Sequence, residues 1–311
     1  MMEDNGKLKY LVLGTGGVGG CIASFMALAG KDVECIARGE HLSKINDKGI
    51  HLVSYLKGDR QIPMNAYTVD NYAGSPDVAF VCVKGYSLDD ALQLLRRICT
   101  PRTLVIPVLN VYGTAGRLAD ELPQAMVAGG CIYIIGSKVG AGEITQQGEI
   151  FRIVFGQLPQ CPVDGSLLGR VAADLAESGI EAILSDDIDR DSFCKWAFIS
   201  AMACTGAYYD TPMESVQRPG EVRDMFVSLL KEGEMVGKKS GVCMPADHVE
   251  KHLAIMDNLD PAATASMQKD IRAGRNSEIE SLLFDMIARG NSLGLGMETY
   301  RKVAQKLEKY R

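Results

Sequence analysis

The sequence predicts a doubly wound α/β domain over residues 1–187 followed by an all-α domain over residues 188–311, and three observations carry that prediction. A short apolar run near the N-terminus meets a glycine cluster and then a helical pattern. Strand-like and helical runs go on alternating to about residue 109, the alternation that builds parallel sheets. After Asp186 no strand pattern remains, and every periodic segment is helical.

Residues 8–13 have the length and apolar character of a buried strand. They run into Gly14-Thr15-Gly16-Gly17-Val18-Gly19, and residues 21–29 then read as a helix of small and apolar side chains. In that context G-x-G-x-x-G is the pattern of a dinucleotide-binding turn. Gly14 permits the tight turn, Gly16 lets the backbone approach a pyrophosphate, and Gly19 lets helix and strand pack closely. Free N–H groups at the helix start would hold the anion. The first domain is therefore expected to be of Rossmann type, with the cofactor over Gly14, Thr15, Gly16, Gly17, Val18 and Gly19.

Residues 32–37 form the next strand, and its C-terminal end selects the cofactor. An NAD site wants a carboxylate there for the ribose 2′-hydroxyl. This chain instead offers Arg38, nineteen residues after Gly19. A guanidinium fork pairs bidentately with phosphate oxygens, so a 2′-phosphate and NADP(H) are expected. Glu34 is the acid of the alternative, NAD reading.

Residues 77–83 and 103–109 are two further strands, separated by a helix over 88–98. A polar residue follows each: Lys84 after the first and Asn110 after the second. Ligands in open α/β sheets bind beyond the carboxyl ends of strands, so both are candidates to face the cofactor. The alternative is a solvated loop lysine and a turn-forming asparagine. Short β-like pieces follow at 126–135, 143–145, 150–155 and 181–184, with turn signals at Gly140, Gly142 and Gly148 and one helix over 167–178.

The second half predicts helices over 189–207, 221–240, 248–256, 264–273, 277–291 and 297–309. Lys195 precedes a stretch, residues 197–209, that contains no charge. A lysine beside such a segment is partly desolvated and becomes a better proton donor near neutrality, although a snorkelling lysine is the commoner arrangement. Gly274 reads as a helix stop, and Ser277-x-x-Glu280 has capping-box spacing that would place Glu278 in a first turn. His248 and His252 share a helix face but lack the glutamate of H-E-x-x-H and a third ligand, so a solvated face is expected and no metal site.

Composition narrows the function. The chain has 311 residues, with 33 Lys plus Arg against 39 Asp plus Glu, a formal charge of −6. That balance lacks the basic field generic nucleic-acid binding requires. Residues 11–30 carry no charge and are long enough to span a bilayer, but six of the twenty are glycine, which argues against membrane insertion. Nine cysteines without a C-x-x-C pair, mostly in apolar runs, point to a reducing cytoplasm.

Taken together, these residues resemble the ketopantoate reductase (2-dehydropantoate 2-reductase) family. The likeness runs through Gly14-x-Gly16-x-x-Gly19, Arg38-Gly39-x-His41, Val83-Lys84, Leu109-Asn110 and Lys195-Trp196. It closes with Ser266-Met267-x-x-Asp270 and Gly274-Arg275-Asn276-Ser277-Glu278-Ile279. The resemblance implies an NADPH-binding Rossmann domain joined to a helical domain. It implies that Gly14, Gly16 and Gly19 hold the pyrophosphate and Arg38 the 2′-phosphate. Lys84 and Asn110 would lie along the cofactor, with Asn110 also near the substrate. Lys195 resembles the catalytic lysine, Glu278 the acid near substrate and cofactor, and Ser266 the serine that binds the substrate carboxylate.

One segment departs from the family pattern. Two asparagines usually follow the lysine, four and eight residues on, and then a proline. Here those positions are Ile199, Ala203 and Cys204. Losing a buried polar contact shifts selectivity by on the order of 10⁴-fold where a site was built around that bond. Ser200 lies about 100° around the helix and is a poor substitute. The expected function is NADPH-dependent reduction of a 2-oxo acid, foremost 2-dehydropantoate, with Lys195 as general acid. The alternatives are a more apolar 2-oxo acid, or a non-catalytic NADPH-binding sensor. The helical half is also read as a candidate homodimer interface.

Overall fold

The computed structural model describes residues 6–311, so residues 1–5, counted above in the first domain, lie outside the described residues. The chain divides into two compact units. One runs to Leu109 and resumes over Gly113–Ile188; the other joins Asn110–Tyr112 to Asp189–Arg311.

The first unit opens β1 (Lys9–Leu13), α1 (Gly17–Leu28), β2 (Asp32–Ile36) and α2 (Gly39–Lys48), and then adds three short strands, β3 (Ile50–Ser54), β4 (Gly58–Ile62) and β5 (Asn65–Tyr67). The alternation resumes with β6 (Val78–Val81), α3 (Leu88–Ile98), β7 (Leu104–Pro107) and α4 (Thr114–Glu121). Two long strands, β8 (Met126–Gly140) and β9 (Glu143–Gln157), lead to α5 (Gly165–Glu177) and β10 (Glu181–Leu184). One sheet contains all the strands in the order β4-β3-β9-β8-β7-β6-β1-β2-β5, with β10 beside β9.

From β5 to β8 neighbouring strands are parallel. Every residue of β6 and β7 is buried, which is why these segments read as unbroken apolar runs. β1 sits between β2 and β6, so the order of travel across the sheet reverses there, the switch point at which doubly wound folds bind ligands. The predicted α/β class is therefore the one observed, as is the helical second half.

Some elements differ from the expected ones. The pieces at 143–145 and 150–155 are one strand, β9, whose long antiparallel pairing with β8 absorbs register shifts at Ile134/Ile135 and Lys138/Gly140. β4 was not expected, because four of its five residues are exposed and polar-rich. Its strand character comes from pairing with β3, which in turn pairs with β9 some ninety positions away. No local window contains that partner.

The second unit is built of α6 (Ile188–Tyr209), α7 (Met213–Gln217), α8 (Glu221–Lys239), α9 (His248–Asp257), α10 (Ser266–Arg272), α11 (Asp285–Ser292) and α12 (Glu298–Leu307). α8 buries Met225, Phe226, Leu229, Leu230, Gly233, Val236 and Gly237, the i, i+4 stripe of a core-facing helix. Each large side chain in that stripe stabilises the fold by roughly 1.5–3 kcal/mol. Glu232, buried on α8, accepts hydrogen bonds from Thr299 N (2.7 Å) and Tyr300 N (3.1 Å), and so satisfies the first-turn donors of α12.

Two local expectations are corrected here. The capping box at Ser277–Glu280 does not form: Ser277 Oγ is buried without a hydrogen-bond partner among the described residues, and Glu280–Phe284 is a π-helical turn leading into α11. His248 and His252 are buried, not solvated, because α9 turns their face inward. Their rings lie 4.3 Å apart, and His252 packs 5.0 Å from the Phe198 ring. Among the described residues no helix is long and apolar enough to cross a membrane.

Candidate active site

The glycine turn hangs from the end of β2. Gly14 N and Thr15 N both donate to Ile36 O, and Thr15 Oγ1 donates to the same oxygen at 2.8 Å. Gly14 has φ +94°, and a Cβ there would stand 2.9 Å from Val83 Cγ1, so both conformation and space require glycine. At Gly19 a Cβ would meet Gly14 O at 2.2 Å, the close helix–strand packing expected of the third glycine. Gly17 serves packing too: its Cβ would fall 2.3 Å from Gly136 O on β8.

Gly16 differs from all three. A Cβ there would meet nothing within 4 Å, and Gly16 is the N-cap of α1, where the cap residue brings no side-chain hydrogen bond. An open face at the positive end of a helix dipole suits a diphosphate. Val18 is half-buried against the core, so in this turn the backbone is what remains to hold a ligand.

Arg38 is exposed at the N-cap of α2, directly after the end of β2 and Ala37. Glu34, its rival, is already engaged: Tyr67 and Tyr72 donate their hydroxyls to its two oxygens at 3.0 and 3.1 Å. That carboxylate raises both phenols' pKa values, with burial the larger cause at Tyr72. The residues of this turn fit NADP(H) better than NAD.

Sequence reasoning assigned no role to His41, and the structure supplies one. Its Nδ1 accepts from Gly142 N at 2.8 Å while its Nε2 sits 2.6 Å from Thr15 O. Because Nδ1 accepts, Nε2 must carry the proton and donate. Burial holds the pKa of His41 below the usual value, in keeping with that neutral form. The ring thus ties the glycine turn to the β8–β9 hairpin. Lys84 is half-buried at the N-cap of a single 3₁₀ turn, Gly85–Ser87, which follows β6.

In the second unit, one pair of predicted residues is brought together. Lys195, buried on α6, donates from Nζ to Asn110 Oδ1 at 2.7 Å. An ammonium has no acceptor, so Asn110 must present its carbonyl oxygen and direct its NH₂ group elsewhere. Eighty-five positions separate the two in sequence. Glu278 is also buried, in the bend before the π turn, and its backbone oxygen accepts from Leu282 N. Ser266 is the first residue of α10 and is exposed.

The segment after Lys195 is apolar as built. Ile199 is half-buried against the helical core, and Ala203 is buried. Ser200 offers no replacement amide, since its hydroxyl bonds Leu282 O and lies 2.8 Å from the Tyr300 hydroxyl. Cys204 is buried and its thiol is pushed up to about 12 by burial, so it is no nucleophile near neutrality.

Comparison with known proteins gives a consistent result. Residues 10–160 match the family model described as Ketopantoate reductase PanE/ApbA, and residues 187–311 match Ketopantoate reductase PanE/ApbA C terminal. A Bacillus subtilis (strain 168) protein named Uncharacterized oxidoreductase YkpB is 27% identical, over 97% of this chain and 99% of its own. A 2-dehydropantoate 2-reductase of Aquifex aeolicus is 24% identical, over 94% and 93%. The crystal structure of a PanE/ApbA family ketopantoate reductase from Ralstonia eutropha JMP134 matches with a TM-score of 0.87 at 23% identity, covering 97% of this chain and 98% of that one; the likeness is one of fold.

Proposed function

The chain belongs to the ketopantoate reductase family, and from that premise we propose that it reduces a 2-oxo acid to the 2-hydroxy acid with NADPH. The observation that supports this reading best is the buried hydrogen bond, 2.7 Å long, from Lys195 Nζ to Asn110 Oδ1. Such a pair is a proton donor held in a fixed direction by a group that cannot take its proton.

Bound NADPH supplies the hydride that becomes the new C2–H bond. As that bond forms, negative charge gathers on the C2 oxygen. The Lys195 ammonium stabilises this charge and donates one proton to the oxygen, and the resulting amine regains a proton from solvent. Asn110 keeps Nζ in place and has its NH₂ group left to donate to cofactor or substrate. Glu278 would orient the lysine or a substrate hydroxyl, and Ser266 would anchor the carboxylate. Gly14, Gly16 and Gly19, with Thr15, Gly17 and Val18 between them, would hold the pyrophosphate. Arg38 would hold the 2′-phosphate, and Lys84 would lie along the cofactor.

2-Dehydropantoate is the first substrate of this reading, because it is the named substrate of the curated relatives. A second reading, a 2-oxo acid with a more apolar side chain, is favoured by Ile199 and Ala203 on α6. NADPH oxidation across a panel of 2-oxo acids decides between them. Efficient turnover of 2-dehydropantoate removes the second reading; preference for an aliphatic or aromatic oxo acid removes the first. Tight NADPH binding without turnover of any member leaves a sensor and overturns both.

A further inference from the structure

We propose that Tyr112 is a positioning residue for this reduction, docking the Asn110 loop onto α6 so that the amide stays against the Lys195 ammonium. The inference rests on the reductase reading above and adds to it a residue that touches neither reacting atom.

Asn110, Val111 and Tyr112 leave the first unit's chain and pack within the helical unit. An amide carried on so short a loop points reliably only if something grips the loop. Tyr112 is that grip. Its ring stacks on Trp196 at 5.6 Å with 21° between the planes, and meets Phe193 edge-on at 4.9 Å and 85°. Phe193 and Trp196 in turn meet edge-on at 5.5 Å. The Arg289 guanidinium lies 4.8 Å from the ring centroid of Tyr112. The Tyr112 hydroxyl donates to Asp189 Oδ1 at 2.8 Å.

The placement of these partners gives the cluster its meaning. Phe193 and Trp196 flank Lys195 on α6, and Asp189 lies in the first turn of the same helix. The tyrosine two residues after Asn110 is thus clamped to the helical turn that carries Lys195. Trp196 extends the clamp: its Nε1 donates at 3.0 Å to Ser281 O, three residues after Glu278. One aromatic stack therefore touches the three segments that bear Asn110, Lys195 and Glu278. Small displacements of a catalytic group are expensive in rate, about a hundredfold for an ångström.

Trp196 is the single tryptophan of the chain, so its emission reports the stack directly. The experiment compares the parent, Tyr112→Ala, Tyr112→Phe, Asn110→Ala and the Tyr112→Ala/Asn110→Ala double variant. Each is measured for tryptophan emission, NADPH affinity, and kcat and KM on the best 2-oxo acid of the panel. Tyr112→Ala is expected to shift the emission and lower kcat by about tenfold or more with NADPH affinity kept. Tyr112→Phe, which keeps the ring and loses only the Asp189 hydrogen bond, is expected to restore most of kcat and the parental emission. In the Asn110→Ala background, Tyr112→Ala is expected to cost little further kcat, because the group it positions is gone. Parental kcat in Tyr112→Ala, or an equal loss on top of Asn110→Ala, overturns the inference. A parent that reduces no 2-oxo acid overturns the reductase reading, and this inference with it.

Discussion

The glycine turn of the first unit and the Lys195 region of the second differ in what they are made of. The turn is backbone: its shape follows from a positive φ at Gly14, from contacts that leave no room for a Cβ at Gly17 and Gly19, and from the open face at Gly16. Six consecutive residues carry it, held from outside by Ile36 O and His41. The Lys195 region is side chain: an amide at 110 meets an ammonium at 195 over a stack of Tyr112, Phe193 and Trp196. A backbone site binds many ligands of one shape, whereas a side-chain site commits its protein to one chemistry. The contrast gives the proposed function a testable form: cofactor binding by the turn and turnover by the lysine should be separable by mutation.

Lys195→Ala is the sharpest way to break that separation. Turnover is expected to fall roughly 10²–10⁴-fold while NADPH affinity stays near the parent's, read by steady-state rates and by titration of cofactor fluorescence. Rates near parental would leave the proposed acid without a role, and lost NADPH affinity would show that the two parts are one.

Acid should strain both regions through their buried histidines, and the helical unit more. Burial and the neighbouring His252 lower His248 to about 4, with Lys238 acting in the same direction. Among the described residues, both of its ring nitrogens lack hydrogen-bond partners. His252 and His41 are shifted in the same direction, chiefly by burial. Such groups stabilise the fold above the ordinary histidine pKa of 6.5. Below it the unfolded chain takes up protons that the folded chain refuses, so stability falls from pH 6.5 to about 4. For His248 the loss is on the order of 3 kcal/mol. Thermal melting against pH reads the slope, which His248→Leu is expected to flatten; an unchanged slope would assign the acid sensitivity elsewhere.

The smallest effects test the turn. Gly16→Ala is expected to fold as the parent does, since its Cβ enters open space, yet to bind NADPH about tenfold more weakly, about 1.4 kcal/mol. Gly19→Ala, with its Cβ 2.2 Å from a backbone oxygen, is expected to lower the melting temperature before binding is considered. Arg38→Ala is expected to erase preference for NADPH over NADH by roughly tenfold to a hundredfold with kcat kept. Parental affinity in Gly16→Ala would move the diphosphate off this turn.

Legibility in the sequence followed the same division. The glycine turn could be read because steric need is local and leaves a residue-type signature. Arg38 could be read as a position relative to a strand end. Its competitor Glu34 stays open as the acid of the NAD reading in the sequence, and only the structure shows that two tyrosines occupy it. His41 carries no local signal of its role, since nothing in its neighbours reveals bonds to Thr15 and Gly142, 26 positions before it and 101 after it. The histidine pair on α9 turns inward against the expected solvated face, because i, i+4 spacing names a face without saying which way it turns.

By itself the sequence determined the two-part class, the glycine turn and the apolar character of the helix after Lys195, since each is written in residue type and short-range spacing. Tertiary structure alone decided that β3 joins the sheet beside β9, that Ser200 is occupied by Leu282 O and Tyr300, and that Asn110 reaches Lys195. Each of these needs a partner distant along the chain, and only the folding of the backbone brings such partners within a hydrogen bond's length.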